Sequence, residues 1–255
     1  MEEVAQAEVL SAILRDRGGR RDFVPIDRAF LQLREHGGGA GPLAAFVSTR
    51  RKRALDLYLL GHALASTPPY DGALPAWAWA RALGMPETPS SRVFISTTWS
   101  WLESQGLVRS VRDGNRRRIF LLDESGSGEP YTHGAGRKRL DYFKLPYAYW
   151  LEGWAERLSL PATAVLLIAL SLPQTFVLPQ EHGGRWYGLS RDTVRRGLSV
   201  LLGQGLLDVR VLHKRAPLSP IGTTEHRHYR LCKPFSGDKR ASESNIATSS
   251  FVPSI

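Results

Sequence analysis

Arginine and hydroxyl side chains are concentrated in residues 188–212, which read GLSRDTVRRGLSVLLGQGLLDVRVL. A guanidinium group can donate two parallel hydrogen bonds to a guanine edge or to phosphate oxygens, and hydroxyl groups beside a helix N-terminus suit phosphate. Contact with a nucleic acid is therefore the chemistry that this stretch predicts. The candidate DNA-contacting residues are Ser190, Arg191, Thr193, Arg195 and Arg196.

A helix must position these side chains, because branched aliphatic residues recur at helical spacing along one side of the stretch. These residues are Val194, Leu198, Leu201 and Leu202. Ser190 is predicted to cap the N-terminus of the helix, Asp192 to complement its dipole, and Gly205 to end it. Alternating aliphatic residues over 207–211 predict a strand directly after the helix.

The same pattern occurs earlier in the chain. When Gly106 is aligned with Gly205, residues 91–107 match residues 190–206, and the apolar positions stay in phase with the helix. The earlier copy offers Arg92 and Thr97 as candidate DNA-contacting residues at the corresponding helix start. It has only one cation there, beside the large aromatic Phe94, so it is less suited to reading bases.

Each copy is followed by a predicted β-hairpin. Residues 109–122 contain the turn sequence Asp-Gly-Asn between two alternating strands. The arginines expected at the tip of this hairpin are Arg112, Arg116, Arg117 and Arg118. In the later copy the hairpin spans residues 206–231, and Lys214 and Arg215 enter its loop. Both basic hairpins are expected to contact DNA.

The repeat extends over whole domains, so the sequence predicts a mainly α-helical α+β fold with small β-hairpins, built from two tandem domains. The expected divisions are an N-terminal amphipathic helix with a basic tether (1–20), a first domain (21–122), a flexible linker (123–139), a second domain (140–232) and a disordered tail (233–255). Linker and tail are predicted from their lack of apolar periodicity and their Gly, Ser and charged residues.

The capped helix, the Gly-Leu-Leu exit and the strand resemble the recognition helix and wing of a winged helix-turn-helix domain. The run SRDTVRRGL, together with Gly222-Thr223 in the second hairpin, resembles the GntR-type regulators. Two such domains in one chain resemble the theta-type plasmid replication initiators, over residues 21–232. The resemblance implies that the helix 190–204 reads the major groove while the wings reach an adjacent groove or the backbone. GntR regulators carry an effector domain after this domain; only a tail follows here, so no small-molecule effector is expected.

Composition also favours a polyanionic partner. The chain has 34 Lys and Arg against 24 Asp and Glu, a formal charge of +10, which predicts double-stranded DNA as the partner. A single cysteine, Cys232, and the lack of an export signal predict a cytoplasmic, nucleoid-associated protein. The longest apolar run, residues 162–172, is about half the length of a membrane span, so no membrane partner is expected.

Motifs for catalysis, cofactors and metals are not found in the sequence. It contains no GxxxxGK, no GxSxG and no clustered acidic pair, so neither an enzyme nor a cofactor is expected. His213, His226, His228 and Cys232 would have to converge across the second hairpin to bind a metal, and their spacing matches no zinc motif. Arg227 between two histidines departs from the His-apolar-His pattern of rolling-circle nucleases. No metal is therefore expected.

Several features have two interpretations. The cations at residues 50–53 begin a helix, where positive charge opposes the dipole, and they either contact phosphate or form a solvated patch. The N-terminal helix either lies on its own domain, which is favoured, or docks on a second subunit. The first domain either contacts DNA through its wing, which is favoured, or uses Phe94 to form a homodimer. Trp77 and Trp79 are predicted to be core residues.

The function expected from these features is sequence-specific binding of double-stranded DNA for transcriptional control. Initiation of replication at repeated origin sequences is the first alternative. A protein-interaction adaptor that never contacts DNA is the second.

Overall fold

The computed structural model describes residues 6–18, 22–33, 38–114, 116–132, 142–178, 183–215 and 223–236. For residues 16–18, 113, 214, 215 and 223 it describes the backbone alone. The chain is an α+β protein with small antiparallel sheets, as the sequence predicts at this level.

The first half of the chain follows an N-terminal helix. That helix is α1 (Gln6–Gly18). The elements of the first half are β1 (Phe23–Asp27), α2 (Leu43–Ser48), α3 (Lys52–Leu64), β2 (Asp71–Leu74), α4 (Ala76–Ala82), α5 (Pro89–Ser104), β3 (Val108–Asp113) and β4 (Arg116–Leu121). A 3-10 turn, Arg28–Phe30, lies between β1 and α2.

The second half repeats this order. Its elements are β5 (Tyr142–Pro146), α6 (Ala148–Leu151), α7 (Trp154–Arg157), α8 (Leu160–Ser171), β6 (Thr175–Phe176), α9 (Gly183–Tyr187), α10 (Arg191–Gly203), β7 (Leu207–Arg215) and β8 (Thr223–Leu231). By position, α3 corresponds to α8, α4 to α9 and α5 to α10, and the two hairpins correspond to each other.

Each half contains a three-stranded antiparallel sheet with the same topology. The strand order is β2-β4-β3 in the first half and β6-β8-β7 in the second, so in each the strand between the helices pairs with the last strand of the hairpin. The predicted hairpin turn is present, with Gly114 at a positive φ of 57° that glycine adopts without strain. The sequence repeat therefore corresponds to a repeat of element order and sheet order.

The two halves are joined by a strand pair that the sequence did not predict. β1 and β5 pair antiparallel, with Val24 opposite Leu145 and Ile26 opposite Phe143, and all four side chains are buried. Equivalent strands that pair antiparallel are what an approximate two-fold axis between the halves produces. The buried apolar residues of both halves form one continuous cluster.

Buried polar contacts also join the two halves. Lys52 Nζ lies 2.5 and 2.7 Å from the carboxylate oxygens of Asp56 and donates a hydrogen bond to the carbonyl oxygen of Ala155 at 2.7 Å. The Tyr149 hydroxyl donates to Asp56 at 3.0 Å. Burial raises the pKa of Asp56, although the Lys52 ammonium opposes this effect.

The first part of the expected linker is packed against the first half. Glu124 is buried and accepts a hydrogen bond from the backbone N–H of Asp27 at 3.1 Å, and Leu122 forms an isolated bridge with Pro130. Gly and Ser content suggested a free tether here, but these residues supply turns around a buried carboxylate. Residues 133–139 of the expected linker lie outside the described residues, and the domain boundaries themselves stay a prediction.

The terminal segments pack on the body of the protein wherever they are described. Leu10, Ile13 and Leu14 of α1 are buried, and α1 contacts α3, α4 and α6, so it lies on its own chain. At the other end, Phe235 is buried with its ring centroid 6.2 Å from that of Trp154. Residues 233–236 of the expected disordered tail are therefore part of the described fold, and residues 237–255 lie outside the described residues. None of the described helices has the length and apolar content needed to cross a membrane.

Candidate nucleic-acid interface

The N-terminal turn of α10 is capped as the sequence predicts. The Ser190 side chain accepts a hydrogen bond from the Thr193 backbone N–H at 3.1 Å, and the two hydroxyl oxygens lie 2.8 Å apart. Gly205 follows the helix at a positive φ of 68°. Ser190, Arg191, Arg195 and Arg196 are exposed and Thr193 is half-buried, so the structure brings the five predicted residues of this turn together at one surface.

Asp192 holds two of the arginines in place. Arg195 Nη2 lies 2.6 Å from Asp192 Oδ1, and Arg196 Nε lies 2.6 Å from Asp192 Oδ2. The Arg195 and Arg196 guanidinium groups lower the pKa of this carboxyl below its ordinary value. From the sequence, Asp192 is expected only to complement the helix dipole; the signal for these ion pairs is its i+3 and i+4 spacing to the two arginines.

The opposite side of α10 is packed against α8. Val194, Leu198 and Leu201 are buried as predicted, whereas Leu202 is only half-buried. Gly197 is buried where α10 crosses α8. A Cβ at this position would lie 2.5 Å from the Pro161 carbonyl oxygen, so the close approach of the two helices requires glycine here. This packing fixes which face of α10 is presented to solvent.

The second hairpin is longer than the first, with β7 and β8 each nine residues long and β3 and β4 each six. Lys214 and Arg215 are the last two residues of β7, and the structure describes their backbone but not their side chains. Arg210, which is not among the residues predicted from the sequence, is exposed on β7 opposite His228. The strand alternation of residues 207–215 could have identified it.

In the first half, α5 begins earlier than the alignment predicts. Thr88 caps it and Pro89 is its first residue, so Ser91 lies inside the helix and is buried. Arg92 is exposed, as expected for a contact residue. The Thr97 hydroxyl instead hydrogen-bonds backbone carbonyls of its own helix, 3.0 Å away.

The first hairpin does not present all four predicted arginines at its tip. Arg117 lies across the hairpin onto α5, where it contacts Glu103 Oε2 at 3.0 Å and donates to the Ser96 carbonyl oxygen at 2.8 Å. Arg118 forms an ion pair with Asp71 at 2.7 Å. Both arginines are half-buried because their β4 positions face neighbouring elements, and this corrects the prediction that they extend from the tip. Arg112 and Arg116 are exposed.

The two tryptophans of α4 differ in environment. Trp79 is buried and its ring lies 5.2 Å from that of Trp99, which confirms the prediction of a core residue. Trp77 is 44% exposed and contacts the Arg81 guanidinium, 4.9 Å from its ring centroid. The core prediction is therefore wrong for Trp77, since residues two apart on a helix point to different sides.

The cations at the start of α3 are partly explained by tertiary contacts. Lys52 is engaged by Asp56, and the Arg51 guanidinium lies 4.8 Å from the ring centroid of Trp101. Arg50 and Arg53 are exposed. Arg51 is exposed as well, so of these four cations Lys52 alone is held by an ion pair that the structure describes.

The histidines of the second hairpin do not gather into a metal site. Within the ranges that the structure describes, no group of three or more histidine, cysteine, aspartate or glutamate side chains could hold a metal ion.

A comparison of the chain with protein-family models, curated proteins and solved structures finds no match.

Proposed function

We propose that this protein binds double-stranded DNA sequence-specifically through two winged-helix domains and acts as a transcriptional regulator. In this proposal α10 is the recognition helix, and the hairpins β3–β4 and β7–β8 are the wings. The DNA-contacting groups are those of the α10 N-terminal turn, with Arg92, Arg112, Arg116 and Arg210 as additional cations.

The observation that carries the proposal is the N-terminal turn of α10. Its arginines are exposed, its backbone amides and hydroxyls lie at a positive helix end, and the opposite face of the helix is locked into the core. Helix-turn-helix proteins place this part of the recognition helix in the major groove. Arginine there can read guanine through two parallel hydrogen bonds.

The topology supports the same proposal. A helix, a strand, two helices and a hairpin, with the first strand beside the last, is the arrangement of a winged-helix domain. This order occurs in both halves. The formal charge of +10 adds a general attraction for the phosphate backbone.

Replication initiation is a second candidate, favoured by the β1–β5 pair. This pair and the shared core hold the two halves at one fixed spacing. A fixed spacing suits repeated sites on one duplex, as an initiator at an origin requires. If the protein binds no DNA, the remaining candidate function is that of an adaptor that binds only proteins.

The test begins by selecting bound fragments from a random duplex pool with the full chain. Affinity is then measured for the selected site and for a scrambled duplex of equal length. Arg195→Ala should weaken the selected site by about 1–3 kcal/mol, roughly 5- to 150-fold, and the scrambled duplex far less. Arg15→Ala, an exposed arginine of α1, is the control and should leave both affinities unchanged.

The position of the selected site then separates the two biological roles. A single operator beside a promoter favours the regulator, and neighbouring repeats protected together favour the initiator. If no duplex is selected even at low salt, or if Arg195→Ala weakens both duplexes equally, α10 does not read sequence.

A further inference from the structure

A wide cleft lies between α5 and the first hairpin. Its volume is about 1030 Å³, the upper end of the range for ligand pockets, roughly 300–1,000 Å³. Trp77 and Trp79 of α4 and Arg112 and Arg116 of the hairpin are among the residues that line it. In the second half, the helix that corresponds to α5 is α10, and its N-terminal turn carries several arginines. The two halves therefore differ at the surface where each would contact a ligand.

The charge of this cleft favours an anion. Four arginines and one glutamate line it, and Arg117 is paired with that glutamate, Glu103. Arg92, Arg112 and Arg116 are exposed and form no ion pair with any side chain that the structure describes. Three exposed cations that line one open cleft match a ligand that carries several phosphates.

The aromatic content of the cleft adds a second requirement. Trp77 is 44% exposed, and the Arg81 guanidinium covers one face of its indole. Arg81 is in turn held by Glu87, so the ring is fixed before any ligand binds. An exposed, fixed indole beside cations is a stacking platform for a planar base.

The start of α5 is poorly suited to reading a duplex. Val93 is 61% exposed there, and the Thr97 hydroxyl is engaged by its own helix. In addition, a base inside a duplex has both faces covered by its neighbours. A base can stack on Trp77 only when it is unstacked, as in a single strand.

We infer that this cleft binds single-stranded nucleic acid, with a base stacked on Trp77 and phosphates on Arg92, Arg112 and Arg116. The inference builds on the proposed function only in that the protein binds nucleic acid. It adds a single-strand site in the cleft of the first half, whose arginines contact duplex phosphates when no single strand is bound, while α10 of the second half reads the duplex sequence. Simultaneous binding of both forms would suit a protein that acts where a duplex is opened.

The experiment uses the full chain and fluorescent 12-mers of thymidylate and of uridylate, with fluorescence anisotropy as the readout. Thymidylate and uridylate separate a DNA ligand from an RNA ligand. Trp77→Ala should weaken binding of the preferred 12-mer by about five- to a hundredfold, whereas Trp77→Phe should retain most of the affinity because a phenyl ring still stacks. Arg112→Gln should reduce the slope of log K against log salt by about 0.7.

Duplex binding, measured in parallel on the selected site, distinguishes this inference from the proposed function. Arg195→Ala should leave 12-mer binding unchanged, and Trp77→Ala should leave duplex binding unchanged. If duplex binding fails while the 12-mer still depends on Trp77, the proposed function is wrong and the cleft assignment stands.

Three results would overturn the inference. The first is that neither 12-mer binds at low salt. The second is that Trp77→Ala binds the 12-mers as tightly as the unchanged protein does. The third is that an acidic peptide such as polyglutamate binds with the same Trp77 dependence while the 12-mers do not, which would assign the cleft to a protein partner.

Discussion

Asp192 determines how the arginines of α10 are presented. Its carboxylate is a negative charge at a surface that would face phosphates, yet it fixes the guanidinium groups of Arg195 and Arg196. Asp192→Asn should therefore raise affinity for scrambled duplex, because repulsion of phosphate is removed. It should also lower the ratio of specific to non-specific affinity, because both arginines lose a charged partner.

Titration of the selected and the scrambled duplex at two salt concentrations measures both effects. Asp208→Asn, which removes an aspartate paired with Arg230 on the second hairpin, is the matched control and should leave the ratio unchanged. An unchanged ratio in Asp192→Asn would show that the ion pairs do not contribute to reading.

The pKa shift of Asp192 gives this site a defined pH dependence. Arg195 and Arg196 lower the pKa of the Asp192 carboxyl in the folded state. The ionised carboxyl therefore stabilises the fold above its unfolded-state pKa, and this stabilisation is lost as pH falls through its folded-state pKa. Both values lie at or below about 3.9, the ordinary aspartate pKa. The specificity ratio should therefore stay constant from about pH 5 to about pH 8, because the Asp192 carboxyl is ionised throughout this range. Repeating the titrations across this range tests the expectation.

The contribution of Asp56 to stability depends on pH in the opposite direction to that of Asp192. Lys52→Met leaves the Asp56 carboxylate buried without its ammonium, which should lower the free energy of unfolding by about 3–5 kcal/mol at neutral pH. Burial already raises the folded-state pKa of Asp56, so its contribution to stability is greatest below the unfolded pKa and is lost as pH rises through the folded pKa. Without Lys52 this loss should be larger. Lys52→Met should therefore cost less at about pH 4 than at pH 8.

Urea denaturation at several pH values measures this difference. Arg53→Met, at an exposed position on the same turn, is the control and should change stability little. Equal costs of Lys52→Met at both pH values would indicate that Asp56 does not titrate in this range.

At the scale of elements, the crossing of α8 and α10 depends on Gly197. A Cβ at this position would meet the Pro161 carbonyl oxygen and Val165 Cγ2, both at 2.5 Å. Gly197→Ala should force the helices apart and destabilise the protein by about 1–3 kcal/mol, because a packed core tolerates extra volume poorly. Thermal unfolding measures the change.

Gly203→Ala is the matched control on the same helix, since a Cβ there meets nothing within 4 Å. Alanine has the higher helix propensity, so this variant should be neutral or slightly stabilising. A neutral Gly197→Ala would mean that the two helices can separate without cost.

The elements could be predicted from sequence where their signals are local. The cap of α10, its buried stripe and the turn of the first hairpin follow from a few neighbouring residues. The N-terminus of α5 was placed wrongly because Thr88-Pro89 supplies a stronger start signal than Ser91. The short β6 strand carries no periodicity, so it could not be predicted from its own residues.

At the scale of the whole molecule, the β1–β5 pair and the common core should make the two halves unfold together. Leu145→Ala removes a fully buried side chain from this pair and should cost about 2–5 kcal/mol. Hydrogen exchange followed by mass spectrometry should then show faster exchange in both α3 and α8. Leu151→Ala, at a 51% exposed position, should leave exchange unchanged. Faster exchange in α8 alone would indicate two independent domains.

By itself, the sequence determined the α+β class, the repeat of helix and hairpin, and the cluster of exposed arginines on α10, because each depends on spacing within a few turns of chain. Only the tertiary structure decided that Arg117 and Arg118 are engaged by Glu103 and Asp71, and that Trp77 is exposed. It alone placed β1 beside β5. The physical reason is that ion pairs, burial and strand pairing are contacts between residues far apart in sequence, and helical or strand periodicity carries no information about which distant element will cover a side chain.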